Sequence, residues 1–409
     1  MKYNNYTFAL IIFLIISSFL FTGKAQTAPK YELYGFVRND FYYNSRQNVE
    51  VIDGIFNIFP KPLVHDADGN DINNTAQAEM ISVASRLGLN INGPELFKAR
   101  STAKIELDFC GTGTTYFLVR LRQAYMKLNW KNTELLAGQT WHPLYGNVAP
   151  TIVSLNSGSP FQPFNRSPQL RVKQYLTSSL SVSLAGIYQM QYTSYGPEGK
   201  SNNYMKQALL PDMYLGMEST GKHFTGGIGL DYKTLKINKS RLGSKSAMIY
   251  GQYASKKLQI KAKSLIGQNL SDLQMPMGYG LSSYNVENKL HTYTNFNQSA
   301  SWINLVYGKT WQVGILGGYL KNLGTDKNLL PTANNDYTVY SSGYFSGNQH
   351  LDQLIRIAPH LSYNMKNIRL GLEYDLTNAG YGKLNTQGKV TDPYSVTNHR
   401  VVGVAVYNF

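Results

Sequence analysis

Two short runs of alternating charge stand out in this chain. In the first, Lys104, Glu106 and Asp108 are separated by Ile105 and Leu107; in the second, Arg120 and Arg122 flank Leu121. A spacing of two places the charges of each run on one face of a strand. Arg86, Arg166, Arg171 and Lys173 stand nearby, so this stretch carries more of these cations than carboxylates. Arg and Lys arrayed on a wet surface attract anions, and the planar guanidinium suits carboxylate or phosphate. The chemistry expected is solute binding and electrostatic selection, with no bond made or broken. The same spacing lets Arg120 and Arg122 pair with Glu106 and Asp108 on an adjacent strand, which leaves a wall that is wet but unselective.

Catalytic patterns are missing. The seven histidines, among them His65, His142, His223 and His360, show no H-E-x-x-H spacing, and there is no Gly-x-Ser-x-Gly elbow. His142 follows Trp141 and is expected to be structural, since a lone His has no identifiable partner. The run Asp66-Ala67-Asp68-Gly69-Asn70-Asp71 resembles part of a calcium loop but lacks the spacing to a final Glu. It reads as a solvated turn. The single Cys110 forms no internal disulfide. The expectation is no enzyme, no cofactor and no metal, with a hydrolase assembled from distant strands as an alternative.

The elements that must position these charges read as strands. Ile81, Val83, Leu87, Leu89 and Ile91 share one face of 81–92 with Ser85; Arg86, Gly88 and Asn90 lie on the other. The stretch 102–109 alternates more sharply. In 116–128, Phe117, Val119, Leu121 and Tyr125 oppose Arg120 and Arg122, with Gln123 as an imperfection. Similar alternation recurs at 180–192, 224–232, 258–266, 311–319 and 368–374. Long connections at 44–77, 143–167, 194–210, 269–295, 321–354 and 378–396 alternate with short ones such as 129–132 and 255–257. Long loops on one rim and tight turns on the other describe a transmembrane antiparallel β-barrel. The count is about 16 strands, with 14 or 18 as alternatives. The last strand ends on Phe409, which suits an interfacial aromatic girdle. Tyr188, Tyr192, Tyr232, Tyr319, Tyr374 and Tyr407 are expected in the same girdles. Lys261 with Lys263, and Asp231 with Lys233, are expected to be ordinary solvated lumen pairs.

The N-terminus reads as a secretory signal peptide spanning 1–25. Lys2 precedes an apolar run of about 14 residues at 8–21, short of the roughly 20 that span a membrane as a helix. Gly23 and Ala25 fit a cut before Gln26. Residues 26–409 then form a single barrel domain. With 31 Tyr, 36 Gly and only 15% charged residues, the composition favours strands and turns over helices. The formal net charge of +15 suits nucleic acid, an acidic membrane surface or an anion pathway. Export and the lack of a compact basic patch disfavour nucleic acid.

The runs Ser85-Arg86-Leu87-Gly88-Leu89, Lys104-Ile105-Glu106-Leu107-Asp108-Phe109, Leu118-Val119-Arg120-Leu121-Arg122-Gln123-Ala124-Tyr125 and Ala137-Gly138-Gln139-Thr140-Trp141 resemble the N-terminal third of DcaP-like and related outer-membrane porins. Phe409 fits the same family. The resemblance implies a 16-stranded barrel, a homotrimer, and passage of small hydrophilic, often anionic, solutes. Between Gln26 and Tyr31 there is no room for the N-terminal coiled coil of some members. In such barrels the third outer loop folds inward and narrows the channel. Here that loop is 143–167, restricted by Pro143, Pro150, Pro160 and Pro163, with Arg166 as its only charge. Phe161, Phe164 and Trp141 would pack it against the wall. The facing wall would carry Arg86, Lys104, Arg120, Arg122, Arg171 and Lys173, partly offset by Glu106 and Asp108.

The expected function is a water-filled outer-membrane channel for passive diffusion of small hydrophilic solutes, biased toward anions. Its partners would be outer-membrane lipid and small polar or anionic solutes. A surface-binding or adhesin-like barrel with a plugged lumen is the main alternative.

Overall fold

Apolar residues at every second position give a strand one face for hydrocarbon and one for water. In the computed structural model sixteen such strands close into an antiparallel barrel. The structure describes residues 29–111 and 118–409. The signal peptide expected at 1–25, and the start of the strand expected at 116, lie outside them. The strands are β1 (Lys30–Asn44), β2 (Gln77–Ile81 and Arg86–Leu96), β3 (Ala99–Gly111), β4 (Leu118–Asn129), β5 (Thr133–Trp141), β6 (Arg166–Tyr175), β7 (Leu180–Ile187) and β8 (Asp212–Thr220). They continue as β9 (Phe224–Ile237), β10 (Ser240–Ala254), β11 (Leu258–Gln268), β12 (Leu290–Gly308), β13 (Trp311–Thr325), β14 (Gln349–Asn364), β15 (Ile368–Leu384) and β16 (Val390–Asn408). β1 pairs with β2 on one side and with β16 on the other, in the register Phe36↔Asn408 to Asn44↔Arg400. Closure leaves the sheet without an edge, as a lipid surround requires.

Turns of two to four residues join the strands on one rim, and the long connections lie on the other. One expected long loop is absent. β15 runs to Leu384 and β16 starts at Val390, so a tight turn stands where a loop over 378–396 was expected. Asn385 closes it: its side chain accepts from the N–H groups of Gln387 and Lys389, both at 3.0 Å.

β2 departs from the simple alternation read over 81–92. The pairing with β1 breaks at 82–85, where Ser85 Oγ accepts from Arg38 N at 3.0 Å. Ile81 and Val83 turn inward and pack with Ile55, Ala84 and Cys110. Below the break, Leu87 returns to the outer face.

The outer surface is apolar, with Ile105, Val119, Ile303 and Leu372 exposed. Tyr188, Tyr232, Tyr319, Tyr374, Tyr407 and Phe409 are exposed as the girdle reading requires, but Tyr192 is turned inward and buried. Phe409 closes the barrel through its backbone: its N–H donates to Gly35 O at 3.1 Å and its carbonyl accepts from Gly35 N at 3.2 Å. Its ring covers Gly35, where a Cβ would meet the ring at 2.7 Å.

Candidate functional site

The connection at 142–165 leaves β5, crosses the barrel and returns to β6. Its backbone is tied to the opposite wall. Thr151 N donates to Asn304 Oδ1 on β12 at 2.8 Å, and Val153 N to Glu373 Oε2 on β15 at 2.7 Å. The Val153 carbonyl accepts from Arg38 Nη2 on β1 at 2.9 Å, and that of Ser159 from Arg356 Nη1 on β14 at 2.8 Å. Trp302 Nε1 donates to Gln162 Oε1 at 2.9 Å. Glycines on the wall make room: a Cβ at Gly318 would meet the Phe161 ring at 2.7 Å, and one at Gly371 would meet Val153 at 2.9 Å. The C-terminal part of the inward face of β16 is apolar for the same reason, since Val402, Val404 and Val406 pack with Val153.

Two cavities flank this loop. One, of about 700 Å³, lies on the long-loop side against Arg86, Arg120 and Arg122. The other, of about 410 Å³, lies toward the short turns against Arg171, Lys173 and Glu218. Trp141 and Tyr145 are the residues they share. The two rings stack at 4.0 Å with an interplanar angle of 15°.

The charged wall on β2, β3 and β4 is a paired network. Arg120 grips Asp108 with two bonds, Nε to Oδ1 at 2.9 Å and Nη2 to Oδ2 at 2.7 Å. Arg122 bridges both acids, with Nε to Glu106 Oε1 and Nη1 to Asp108 Oδ2, each at 2.8 Å. Glu106 also accepts from Tyr34 Oη at 2.9 Å and from Gln123 at 3.2 Å. Arg86 and Lys104 stand at 3.8 and 3.9 Å from Glu106. Four cations thus surround two buried carboxylates, and the guanidinium layer faces the cavity.

The local backbone explains why Arg122 and Gln123 both reach inside. The pairing of β3 with β4 slips between Glu106 and Leu107, which leaves Arg122 as an extra residue. That is a β-bulge, which re-aims side chains. Past it Tyr125 lines the turn-side cavity and does not face lipid.

The other expected positions fall differently. Arg171 lies 3.9 Å from Glu134, and Lys173 lies 3.1 Å from Glu218. Arg166 is fully buried and lines neither cavity. Its guanidinium lies over the rings of Trp141, Phe164 and Tyr192 at 4.7, 5.2 and 5.6 Å and donates to Tyr192 Oη at 2.8 Å.

Solved structures match this architecture. The outer membrane channel DcaP of Acinetobacter baumannii is 19% identical with a TM-score of 0.69, over 95% of this chain and 99% of that one. The trimer form of OmpT, an outer membrane protein of Vibrio cholerae, is 11% identical with a TM-score of 0.54, over 94% and 100%. The anion-selective porin from Comamonas acidovorans is 10% identical with a TM-score of 0.52, over 93% and 100%. The chain has the porin fold. No protein-family model matches the sequence, and no curated protein does.

Several residues of this porin-fold site escaped the sequence reading. Lys261 and Lys263, expected to be solvated, instead hold the crossing loop: Lys261 donates to Thr151 Oγ1 at 2.7 Å and Ala149 O at 3.2 Å, and Lys263 to Tyr145 O. Lys233 is buried against Asp272 and Asn269 O rather than solvated beside Asp231. Arg38 and Glu373 each stand two residues from a carboxylate, Asp40 and Asp375, and Arg356 is a lone charge in an apolar run; none of these patterns names a loop partner.

His142 sits at the root of the loop. Its Nε2 lies 3.2 Å from Asp212 Oδ2, and its Nδ1 accepts from Leu144 N at 3.2 Å. The ligand atoms of His142, Asp212 and Asp231 all lie within 4.8 Å of one another. An Nδ1 that accepts a backbone N–H leaves the ring proton on Nε2, which makes the imidazole a donor to Asp212 and a poor metal ligand. In the 66–71 run the acids serve the turn itself: Asp66 Oδ1 accepts from Asp68 N at 2.9 Å and Asn70 N at 2.8 Å, and Asp71 pairs with Arg46 at 3.0 Å.

Proposed function

We propose that this chain is an outer-membrane porin passing small hydrophilic solutes by diffusion, with a bias toward anions and without a chemical step. The observation that carries the reading is the pair of cavities meeting at Trp141 and Tyr145, each bordered by basic residues. The loop at 142–165 acts as the constriction. Around Glu106 and Asp108 the cations Arg86, Lys104, Arg120 and Arg122 are in excess, so the wall keeps net positive charge after pairing. Such a charge, beside a low-dielectric wall, raises the local anion concentration. The fold is shared with a porin described as anion-selective, and a trimer of this chain would follow the trimer form of OmpT. Export by the leader at 1–25 belongs to the same reading. Among the described residues His142 is the only histidine within salt-bridge distance of a carboxylate, and both its ring nitrogens are taken, Nε2 by Asp212 and Nδ1 by Leu144 N–H, which disfavours a hydrolase.

A plugged barrel that binds partners at its surface is favoured by one feature: Phe59, Phe161, Leu273, Met277 and Tyr337, from four different connections, pack into one apolar cluster inside the mouth. Single-channel recording of the folded barrel in a planar bilayer under a salt gradient separates the two. Conductance with an anionic reversal potential supports the porin and its wall. Cationic selectivity rejects the assignment of the wall, and no conductance moves the weight to the plugged barrel. Within the porin reading, Tyr145→Ala should raise conductance, and Arg120→Gln with Arg122→Gln should lower the anion preference.

A further inference from the structure

The short-turn rim is one-sided in charge. Six of its seven turns carry at least one lysine, none carries Asp or Glu, and only the turn at 176–179 lacks both. These lysines are exposed. The lysines that form ion pairs among the described residues are Lys104, Lys127, Lys173, Lys233 and Lys321, and all of them lie in strands. The turn lysines therefore present uncompensated charge where a bilayer leaflet places its headgroups.

At one point this rim adjoins a groove. On the outer surface a depression of about 490 Å³ is lined by Phe224, Gly226, Gly251, Tyr253, Ile260 and Ala262. A second, of about 590 Å³, shares Gly251 and Ala262 with it and extends toward Ile303 and Ile355. The lower end of the first depression reaches Gly221, in the turn 221–223 that holds Lys222, and the turn 255–257 beside it holds Lys256 and Lys257. These turns are neighbours, since Ala254 N donates to His223 O at 2.8 Å. Phe224 and Tyr253 flank the opening with ring centroids 5.0 Å apart, at the level where aromatic side chains settle in a bilayer.

Packing within the chain does not require the groove to be empty. A Cβ at Gly251 would find nothing nearer than Thr225 O at 4.0 Å, and one at Gly317 only Ile303 Cγ2 at 3.7 Å. Neither glycine has a positive φ. Larger side chains fit there, so the space is available to an occupant from outside the barrel.

We propose that this groove and its lysines form a site for an anionic glycerophospholipid: Lys222, Lys256 and Lys257 hold the phosphate headgroup, and one acyl chain lies over Gly226, Gly251 and Ala262. Lysine stems lie along apolar surface while their ammonium groups reach the headgroup, and each lysine near an anionic surface contributes a measurable share of binding. The site depends on the barrel standing in a membrane and is independent of the solute that crosses it.

The test is native mass spectrometry of the folded full chain, released from micelles doped with phosphatidylglycerol or with phosphatidylcholine of the same acyl chains. Retention of phosphatidylglycerol over phosphatidylcholine is expected. The preference should drop at least about tenfold in the K222Q/K256Q/K257Q variant. Gly251→Leu, which fills the groove and leaves the lysines in place, should lower retention as well. Heat-modifiable gel migration verifies that both variants fold. Equal retention of the two lipids, or a triple variant that keeps its preference, overturns the proposal. Competition by inorganic phosphate that abolishes retention would assign the lysines to a free anion, and a Gly251→Leu variant with altered oligomeric state would assign the groove to a second copy. Either result rejects the lipid.

Discussion

Glu373 and Val153 meet across the lumen: the carboxylate on β15 accepts the N–H of a residue at the far end of the crossing loop, at 2.7 Å. The same carboxylate oxygen accepts from Ser154 N at 3.3 Å, while Arg38 takes the Val153 carbonyl. The loop end is therefore held by an acceptor and a donor from two different strands, β15 and β1.

Glu373→Ala removes the acceptor and leaves two buried N–H groups without it. The expected loss of stability is about 2 kcal/mol, read from urea unfolding in detergent. Single-channel records should show added open-state noise, since the loop end gains freedom. A variant as quiet and as stable as the parent would mean that Arg38 and the apolar contact to β16 hold the loop alone.

Gly318 is the seat of the Phe161 ring. Gly318→Val should push the ring and its loop off β13, raise conductance, and expose 142–165 to protease. Phe161→Ala alone should cost roughly 3 kcal/mol through the cavity it leaves. The double variant should regain part of the protease resistance lost in Gly318→Val, because the clash is gone. If the double variant is no more resistant, the ring is not what ties the loop to this wall.

Arg122 is bonded to both wall carboxylates. Arg122→Gln leaves Glu106 and Asp108 short of a buried partner, with an expected cost of about 3 kcal/mol. Adding Glu106→Gln should recover part of that cost by restoring the charge balance. Reversal potentials of the single variant should move toward cations and those of the double variant back. No difference between the two would separate selectivity from this network.

Asp66 belongs to the outer loop and is fully exposed, and the N–H groups of Asn70 and Asp68 hold its carboxyl below the usual carboxylate range. A carboxylate lowered in the folded state contributes order that is complete above its unfolded value and is lost as pH falls through the folded one. Hydrogen exchange at the Asn70 amide should therefore be protected at neutral pH, with protection lost in acid. Asp66→Ala should abolish the protection at every pH. Protection unchanged by that substitution would give the turn to Gly69 and the backbone alone.

The barrel was legible because its signal is repeated. Period-two apolar positions such as Ile105 and Leu107, or Ile355 and Ile357, recur from strand to strand and need no partner to be read. The network at Glu106 and Asp108 was half legible: the charges were visible, but whether they pair depends on register. One cue was present and went unused. Gln123 broke the alternation, and the break is the bulge that aims Arg122 at both acids. The crossing loop's anchors were not legible, because Arg356 and Glu373 become partners of Ser159 and Val153 only once the barrel has brought β14 and β15 opposite β5. The meeting of His142 with Asp212 is hidden in the same way, since two strands, β6 and β7, and two long connections separate them in the chain.

The seam between β1 and β16 bears on how the chain comes to exist at all. Phe36 pairs with Asn408, so the first strand made waits for the last, and without β16 the ring stays open. Bringing such distant ends together is the slow step of a fold dominated by non-local pairing. Until it happens, two unsatisfied strands offer themselves to any neighbour. A copy lacking β16 is therefore an adhesive open sheet rather than a slightly weaker channel, and the nascent barrel needs protection from its neighbours until β16 has joined β1.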